Sequence, residues 1–253
     1  MDVTLEFEKR GFAVVRNALT AKELAPIKEA TQYYHRLWKK RHNEAYKNGA
    51  INSAYLTHQA HLPEGKRAIL FNVIGSHKLR QIIDDTLGPD AAFMNTQLFF
   101  DPLNPNQANY WHRDSQYHLT IEEQKLALTG PNVVHYRVAL TDDPGVELVP
   151  ETHKRWDRND ELDIRLQKNG HTNDEEIEGA VKIFLKAGDI LVFSANMIHR
   201  GLYGKNRFAL DILLCDSDPM FEKHISRGIL PSELTLKELE NPSLFVNTNV
   251  LIS

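Results

Sequence analysis

GDILVFSANMIHRGLYGKNRFALDILLCD, residues 188–216, holds two apolar runs, DILVF (189–193) and RFALDILLC (207–215). The stretch between them contains Gly201, Gly204 and Asn206, all turn formers. Short runs rich in Ile, Val, Leu and Phe and bounded by such residues predict strands rather than helices. A hairpin through this stretch brings His199, where the first arm ends, and Arg207, which opens the second, to the same end of adjacent strands.

Similar runs crowd the preceding hundred residues: AAFMNTQLFF (91–100), NYWHRD (109–114), PNVVHYRVAL (131–140), VELVP (146–150) and VKIFL (181–185). Successive short strands with Asp, Asn, Gly and Pro between them predict a sandwich or a jelly roll. Before residue 90 the pattern is helical. GFAVVRN (11–17) reads as one short strand. Thr20 and Glu23 then form a capping pair for a helix running to about Lys47 and closed by Gly49. A second helix starts after Ser76 and stops at Gly88-Pro89. The polar segment 157–179 reads as a long exposed loop with at most a helical turn. A short helix is expected at 231–240. The expected architecture is a single domain over 1–253: mainly β with flanking helices, a helical N-terminal third, a β core of about 90–216 and a tail of 217–253.

Composition narrows the function. The chain has 253 residues, 42% hydrophobic and 25% charged, which is ordinary for a globular protein. A single cysteine, Cys215, offers no disulfide and fits a reducing compartment. The net charge of −4 and the lack of a basic stripe argue against nucleic acid or an anionic membrane as partner. No window is apolar enough to span a bilayer, and the start MDVTLEFEKR does not resemble a secretory signal. A soluble cytoplasmic protein, monomer or homodimer, acting on a small molecule is the expectation.

YWHRDSQYH (110–118) carries the chemistry. On an extended chain side chains alternate, so His112 and Asp114 share one wall while Trp111 and Arg113 face the other. A histidine and a carboxylate so placed are half of a 2-His-1-carboxylate facial triad, the arrangement that leaves positions open on Fe(II). Half a triad is weak by itself: 12 histidines and 34 acidic residues produce about 1.6 His-x-Asp/Glu matches by chance, so the pattern needs a partner. His42-Asn43-Glu44 is such a chance match, within the long helix, where residues two apart do not share a face. His199 supplies the missing ligand type for His112 and Asp114.

His112-x-Asp114, His199 and Arg207, with GFAVVRNAL (11–19) and VALTDDPGVELVPETHKRW (138–156), resemble the iron- and 2-oxoglutarate-dependent dioxygenases of the phytanoyl-CoA dioxygenase family over roughly residues 8–216. The resemblance implies a double-stranded β-helix, a cupin-like jelly roll. It implies that His112, Asp114 and His199 hold Fe(II), and that Arg207 binds the distal carboxylate of 2-oxoglutarate with Gln97 as a further contact. It implies O2-dependent oxidation, usually hydroxylation, of a substrate C–H bond coupled to decarboxylation of 2-oxoglutarate to succinate. The sequence departs from the family at Gly201, where relatives often carry serine, and at PETH (150–153), where they carry PGSH. Tyr117 and His118 follow the metal motif, and either edge a substrate cavity or lie in a solvated loop. His135 and Arg137 share a strand face: turned inward they suit a polar or anionic substrate, turned outward they carry no such meaning. Residues 52–67 resemble a mobile cover over the site's mouth. Two other readings are compatible with the residues: a noncatalytic iron- or 2-oxoglutarate-binding sensor or scaffold, and a jelly-roll enzyme using another metal.

Overall fold

The computed structural model describes residues 2–204 and 206–253. Their strands, in chain order, are β1 (Phe12–Val15), β2 (Asn52–Ala54), β3 (Ala92–Phe100), β4 (Val133–Ala139), β5 (Asp143–Leu148), β6 (Val181–Leu185), β7 (Ile190–Ser194), β8 (His199–Gly201) and β9 (Phe208–Cys215). A six-stranded sheet has the order β1-β7-β4-β9-β3-β2, and a three-stranded sheet the order β6-β5-β8, with antiparallel pairing throughout. Two antiparallel sheets facing each other in this manner fit a jelly roll.

The period-two pattern sorts the large sheet into two faces. Val134, Tyr136 and Val138 on β4 and Leu210, Ile212 and Leu214 on β9 pack in one core with Leu24, Ile27, Tyr34, Leu70, Phe71, Leu79 and Ile83 of the helices. Ala139, Leu191 and Phe193 on the other face meet Val146, Leu148 and Leu185 of the small sheet in a second core. Because β9 is buried on both faces, its sequence reads as a nearly unbroken apolar run. Asp211 is the charged exception within it.

Several expectations change in detail. The hairpin across 188–216 does not form: β4 lies between β7 and β9, and the chain leaves the large sheet to place β8 in the small one. The first long helix keeps its cap, with Thr20 N–H donating to Glu23 Oε2 at 2.7 Å, but spans Ala21–Arg41 rather than reaching Lys47. His42 leaves helical geometry (φ −120°, ψ 39°), and a short helix, Asn43–Lys47, follows. Residues 52–67 are not a free cover: 52–54 form β2, paired to β3, and a helix, Glu64–Ile74, begins before the segment ends. The polar segment 157–179 contains the helix Asn159–Arg165 and buries Asp157, Glu161, Ile164, Arg165 and Ile177. Asp157, Glu161 and Arg165 are paired inside the protein, which composition alone does not reveal. The final helix, Ser243–Leu251, packs on β3, where Phe93 N–H donates to Thr248 Oγ1 at 2.6 Å. No helix among the described residues is long and apolar enough to cross a membrane.

One histidine makes the helix-sheet core sensitive to acid. His35 lies 4.3 Å from Phe100, ring to ring, and its Nδ1 is buried with no hydrogen-bond partner among the described residues. Burial, and then Lys39, push its pKa down to about 4 from 6.5. The unfolded chain therefore binds this proton more readily, and stability is expected to fall as pH drops from about 6.5 to about 4. Denaturant titrations across that window should show the decline, and His35→Phe should lessen it. An equal decline in the variant would exclude His35 as its source.

Candidate metal centre

Three side chains converge between the sheets. His112 lies in an isolated antiparallel bridge with His199, the first residue of β8. His112 N–H donates to His199 O at 3.0 Å, and His199 N–H returns the bond at 2.9 Å. The two rings end 4.2 Å apart. Asp114 is no longer extended. It opens a 3-10 turn, Asp114–Tyr117, and its N–H donates to Ala195 O at 3.2 Å. Its Oδ1 lies 3.5 Å from His112 Nε2 and 3.6 Å from His199 Nε2. One donor atom from each of the three residues lies within 4.8 Å of the others.

The protonation states suit a cation. His199 Nδ1 lies 3.0 Å from Met197 O, so that nitrogen carries the hydrogen and Nε2 offers a lone pair. Burial, and then His112, push the His199 pKa down to about 3, which keeps the ring neutral. His112 Nδ1 similarly faces Tyr110 O at 3.3 Å. Burial alone would raise the Asp114 carboxyl, but His135, His112 and His199 around it hold it well below the usual carboxylate range. Two imidazoles and an ionised carboxylate are a donor set for a divalent transition metal.

The opposite wall is basic. Arg207 is 3% exposed, and its Nε and Nη1 find no hydrogen-bond partner among the described residues. Its guanidinium lies over Phe99 at 4.9 Å and over Tyr203 at 5.3 Å. The glycine at 201 explains how it fits. A Cβ at that position would crowd Arg207 Nη1, so a side chain there would force the guanidinium to shift. Gln97 is half-buried on β3, directly across from Asp211 of β9.

His135 and Arg137 turn inward, yet neither is free. His135 Nε2 lies 2.7 Å from Asp114 Oδ2 and Nδ1 3.1 Å from Asp211 Oδ2. Burial would lower its pKa, but the two carboxylates, Asp211 foremost, hold it up at about 9. Arg137 donates to Asp211 from Nε at 3.1 Å and from Nη2 at 2.5 Å. Tyr117 sits at the rim, 54% exposed, its ring 5.6 Å from that of His112.

Sequence reasoning missed two parts of this arrangement. Asp211 organises the basic wall, and its signal was a lone charge inside FALDILLC; on the neighbouring strand Arg137 lies opposite it and His135 two positions away. Arg113, between the two ligand-type residues, gave no signal at all. It is fully buried and donates to Asp157 Oδ1 at 2.8 Å, to Thr152 O at 2.6 Å and also to Asn196 O. Arg165 takes the other oxygen of Asp157 at 2.8 Å and reaches Gln116 of the 3-10 turn at 2.7 Å. Asp157 thus bridges two buried guanidiniums behind the metal loop. Asp157→Ala should lower stability by about 3–5 kcal/mol, the cost of leaving buried charge uncompensated. Urea denaturation measures this, and a loss under about 1 kcal/mol would contradict so tight a network.

Residues 7–206 match the family described as phytanoyl-CoA dioxygenase (PhyH), a match that stops one residue short of Arg207. A comparison with curated proteins found no match. Among solved structures the chain is similar to AviO1 from Streptomyces viridochromogenes Tue57, at 18% identity over 85% of this chain and 93% of that one, with a TM-score of 0.57. It is similar to the epimerase SnoN, crystallised with Fe3+, alpha ketoglutarate and nogalamycin RO, at 16% identity, 85% and 82% coverage and a TM-score of 0.53. It is also similar to EctD from S. alaskensis, at 14% identity, 85% and 76% coverage and a TM-score of 0.59. At these identities the likeness is one of fold. The family match spans well over half of the chain, and the protein belongs to the phytanoyl-CoA dioxygenase family.

Proposed function

We propose that this chain, acting as a single domain, is an Fe(II)- and 2-oxoglutarate-dependent oxygenase that hydroxylates a C–H bond of a small molecule. The observation that carries the reading is the pairing of two features. His112, Asp114 and His199 gather three donor atoms, and two nitrogens of the buried Arg207 guanidinium have no hydrogen-bond partner among the described residues. Similarity of fold to SnoN, whose crystals hold Fe3+ and alpha ketoglutarate, and to EctD, crystallised with 2-oxoglutarate and 5-hydroxyectoine, supports it.

The donor set fits the metal. Asp114 supplies one negative charge and the two histidines supply neutral nitrogens, a facial arrangement that leaves further positions open. When bound, the iron and its cosubstrate supply the oxidation: O2 and 2-oxoglutarate give succinate and CO2 as a substrate C–H bond becomes C–OH. The protein's own residues bind, orient and exclude water. Arg207 presents a planar fork to the distal carboxylate, which repays the cost of burying its charge. Phe99 and Tyr203 beside it keep water from competing for that fork. Gln97 faces the same space from β3 and serves as a second polar contact. Tyr117, exposed at the rim beside His112, is the residue set to meet the substrate. His135 and Arg137, already bonded to carboxylates, hold the wall and do not contact substrate.

The test is an anaerobic titration of metal-free protein with Fe(II) and 2-oxoglutarate, watching the weak visible charge-transfer absorption of the chelate. The wild type should develop the band and His112→Ala should not. Arg207→Ala should need at least about thirtyfold more 2-oxoglutarate, the equivalent of about 2 kcal/mol lost with one member of a buried charge pair. Gly201→Ala, whose methyl displaces the same guanidinium, should raise the requirement in the same direction. A wild type that binds neither component, or that shows no Arg207 dependence, would sink the reading. Succinate formation under O2 then separates an enzyme from a binding protein of the same fold.

A further inference from the structure

A chain of charged groups runs across the inner face of the large sheet and ends on Asp114. Arg137 on β4 grips Asp211 Oδ2, His135 Nδ1 reaches the same oxygen, and His135 Nε2 lies 2.7 Å from Asp114 Oδ2. The imidazole is not free to turn. It is 2% exposed and stacks on Phe193 with the centroids 4.5 Å apart and the planes 10° from parallel. Asp114 is the opposite case. It sits on a 3-10 turn outside both sheets, and rotation of its side chain would exchange its two oxygens. In this structure they are divided: Oδ2 faces His135, while Oδ1 faces His112 Nε2 at 3.5 Å and His199 Nε2 at 3.6 Å.

We propose that His135 is a positioning residue that commits Asp114 to bind metal through Oδ1 alone. The inference rests on the reading of His112, Asp114 and His199 as iron ligands. Carboxylates bind metal through one oxygen or two. A second oxygen from Asp114 would take a coordination position that 2-oxoglutarate or O2 must use. By donating to Oδ2, His135 keeps that oxygen off the ion and fixes the plane of the carboxylate. Asp211, held by Arg137 on the rigid strand pair β4-β9, fixes the plane of the imidazole in turn. Partners of this kind, one bond removed from the metal, orient ligands and tune affinity.

Two variants and one structure test it. His135→Leu removes the donor, while His135→Gln keeps an amide hydrogen that can reach Asp114. In anaerobic titrations His135→Leu should weaken Fe(II) binding roughly tenfold or more and raise the 2-oxoglutarate needed for the visible band, and His135→Gln should recover most of both. A leucine variant that binds Fe(II) and 2-oxoglutarate like the wild type would overturn the inference while leaving the iron reading intact. A wild type that binds no metal would overturn both. A crystal structure of wild-type protein loaded with redox-inert Ni(II) gives an answer even if the leucine variant fails to fold. Asp114 bound through one oxygen, the other on His135, supports the assignment; two bound oxygens, or an Asp114 turned away from His135, refutes it.

Discussion

Two backbone hydrogen bonds between His112 and His199 set the geometry on which the rest of the site depends. Neither residue belongs to a long strand, and 87 positions separate them in the sequence. The bridge makes the stretch around His112 a short continuation of the small sheet beside β8. Because Cβ direction follows from strand pairing, the two imidazoles have no choice but to lie side by side on the inner face. Asp114 then reaches both by the turn that begins immediately after the bridge.

Charge is divided between the two sides of that bridge. Inward-facing His112 and Asp114 meet the polar cavity, while outward-facing Trp111 and Arg113 are buried on the far side of the loop. Arg113 is satisfied there by Asp157 and three backbone carbonyls, and Trp111 donates to Glu175 O at 2.7 Å. A loop held on one side by buried ionic bonds presents a fixed surface on the other. On the cavity side the charges are not all balanced within the protein. Asp211 is shared between His135 and Arg137, and Arg207 Nε and Nη1 have no hydrogen-bond partner among the described residues. Buried charged nitrogens left without hydrogen bonds cost stability, and such a cost persists where a ligand completes the arrangement.

Much of this was legible in the sequence, for particular reasons. Strands 92–100, 133–139, 190–194 and 208–215 announced themselves because both sheet faces are buried and their runs are apolar. Period-two alternation placed His135 with Arg137 on β4, while Asp114 joins His112 through a 3-10 turn and not through the extended geometry expected. What failed was long-range pairing. The hairpin through 188–216 was the simplest connection, but a jelly roll sends such a segment from one sheet to the other. Local sequence does not encode that crossing. Residues 157–179 looked solvated because charge was counted without its partners, which lie elsewhere in the chain: Asp157 with Arg113, Glu176 with Arg200. The clustering of Asp114, His135 and Asp211 required knowing that β4 sits beside β9 and faces the metal loop.

β9 deserves a different kind of consideration, since it lies between β4 and β3 in the large sheet while the family match ends at residue 206, just ahead of it. A boundary drawn from family likeness would thus cut the protein at its central seam. The strands left behind would fall into two groups, β1-β7-β4 and β3-β2, each with an unpaired backbone edge flanked by apolar side chains. Such edges recruit one another, and a fragment ending there would be driven towards self-association instead of a folded sheet. The last fifth of the chain is in this sense not an appendage to the domain but the piece that closes it.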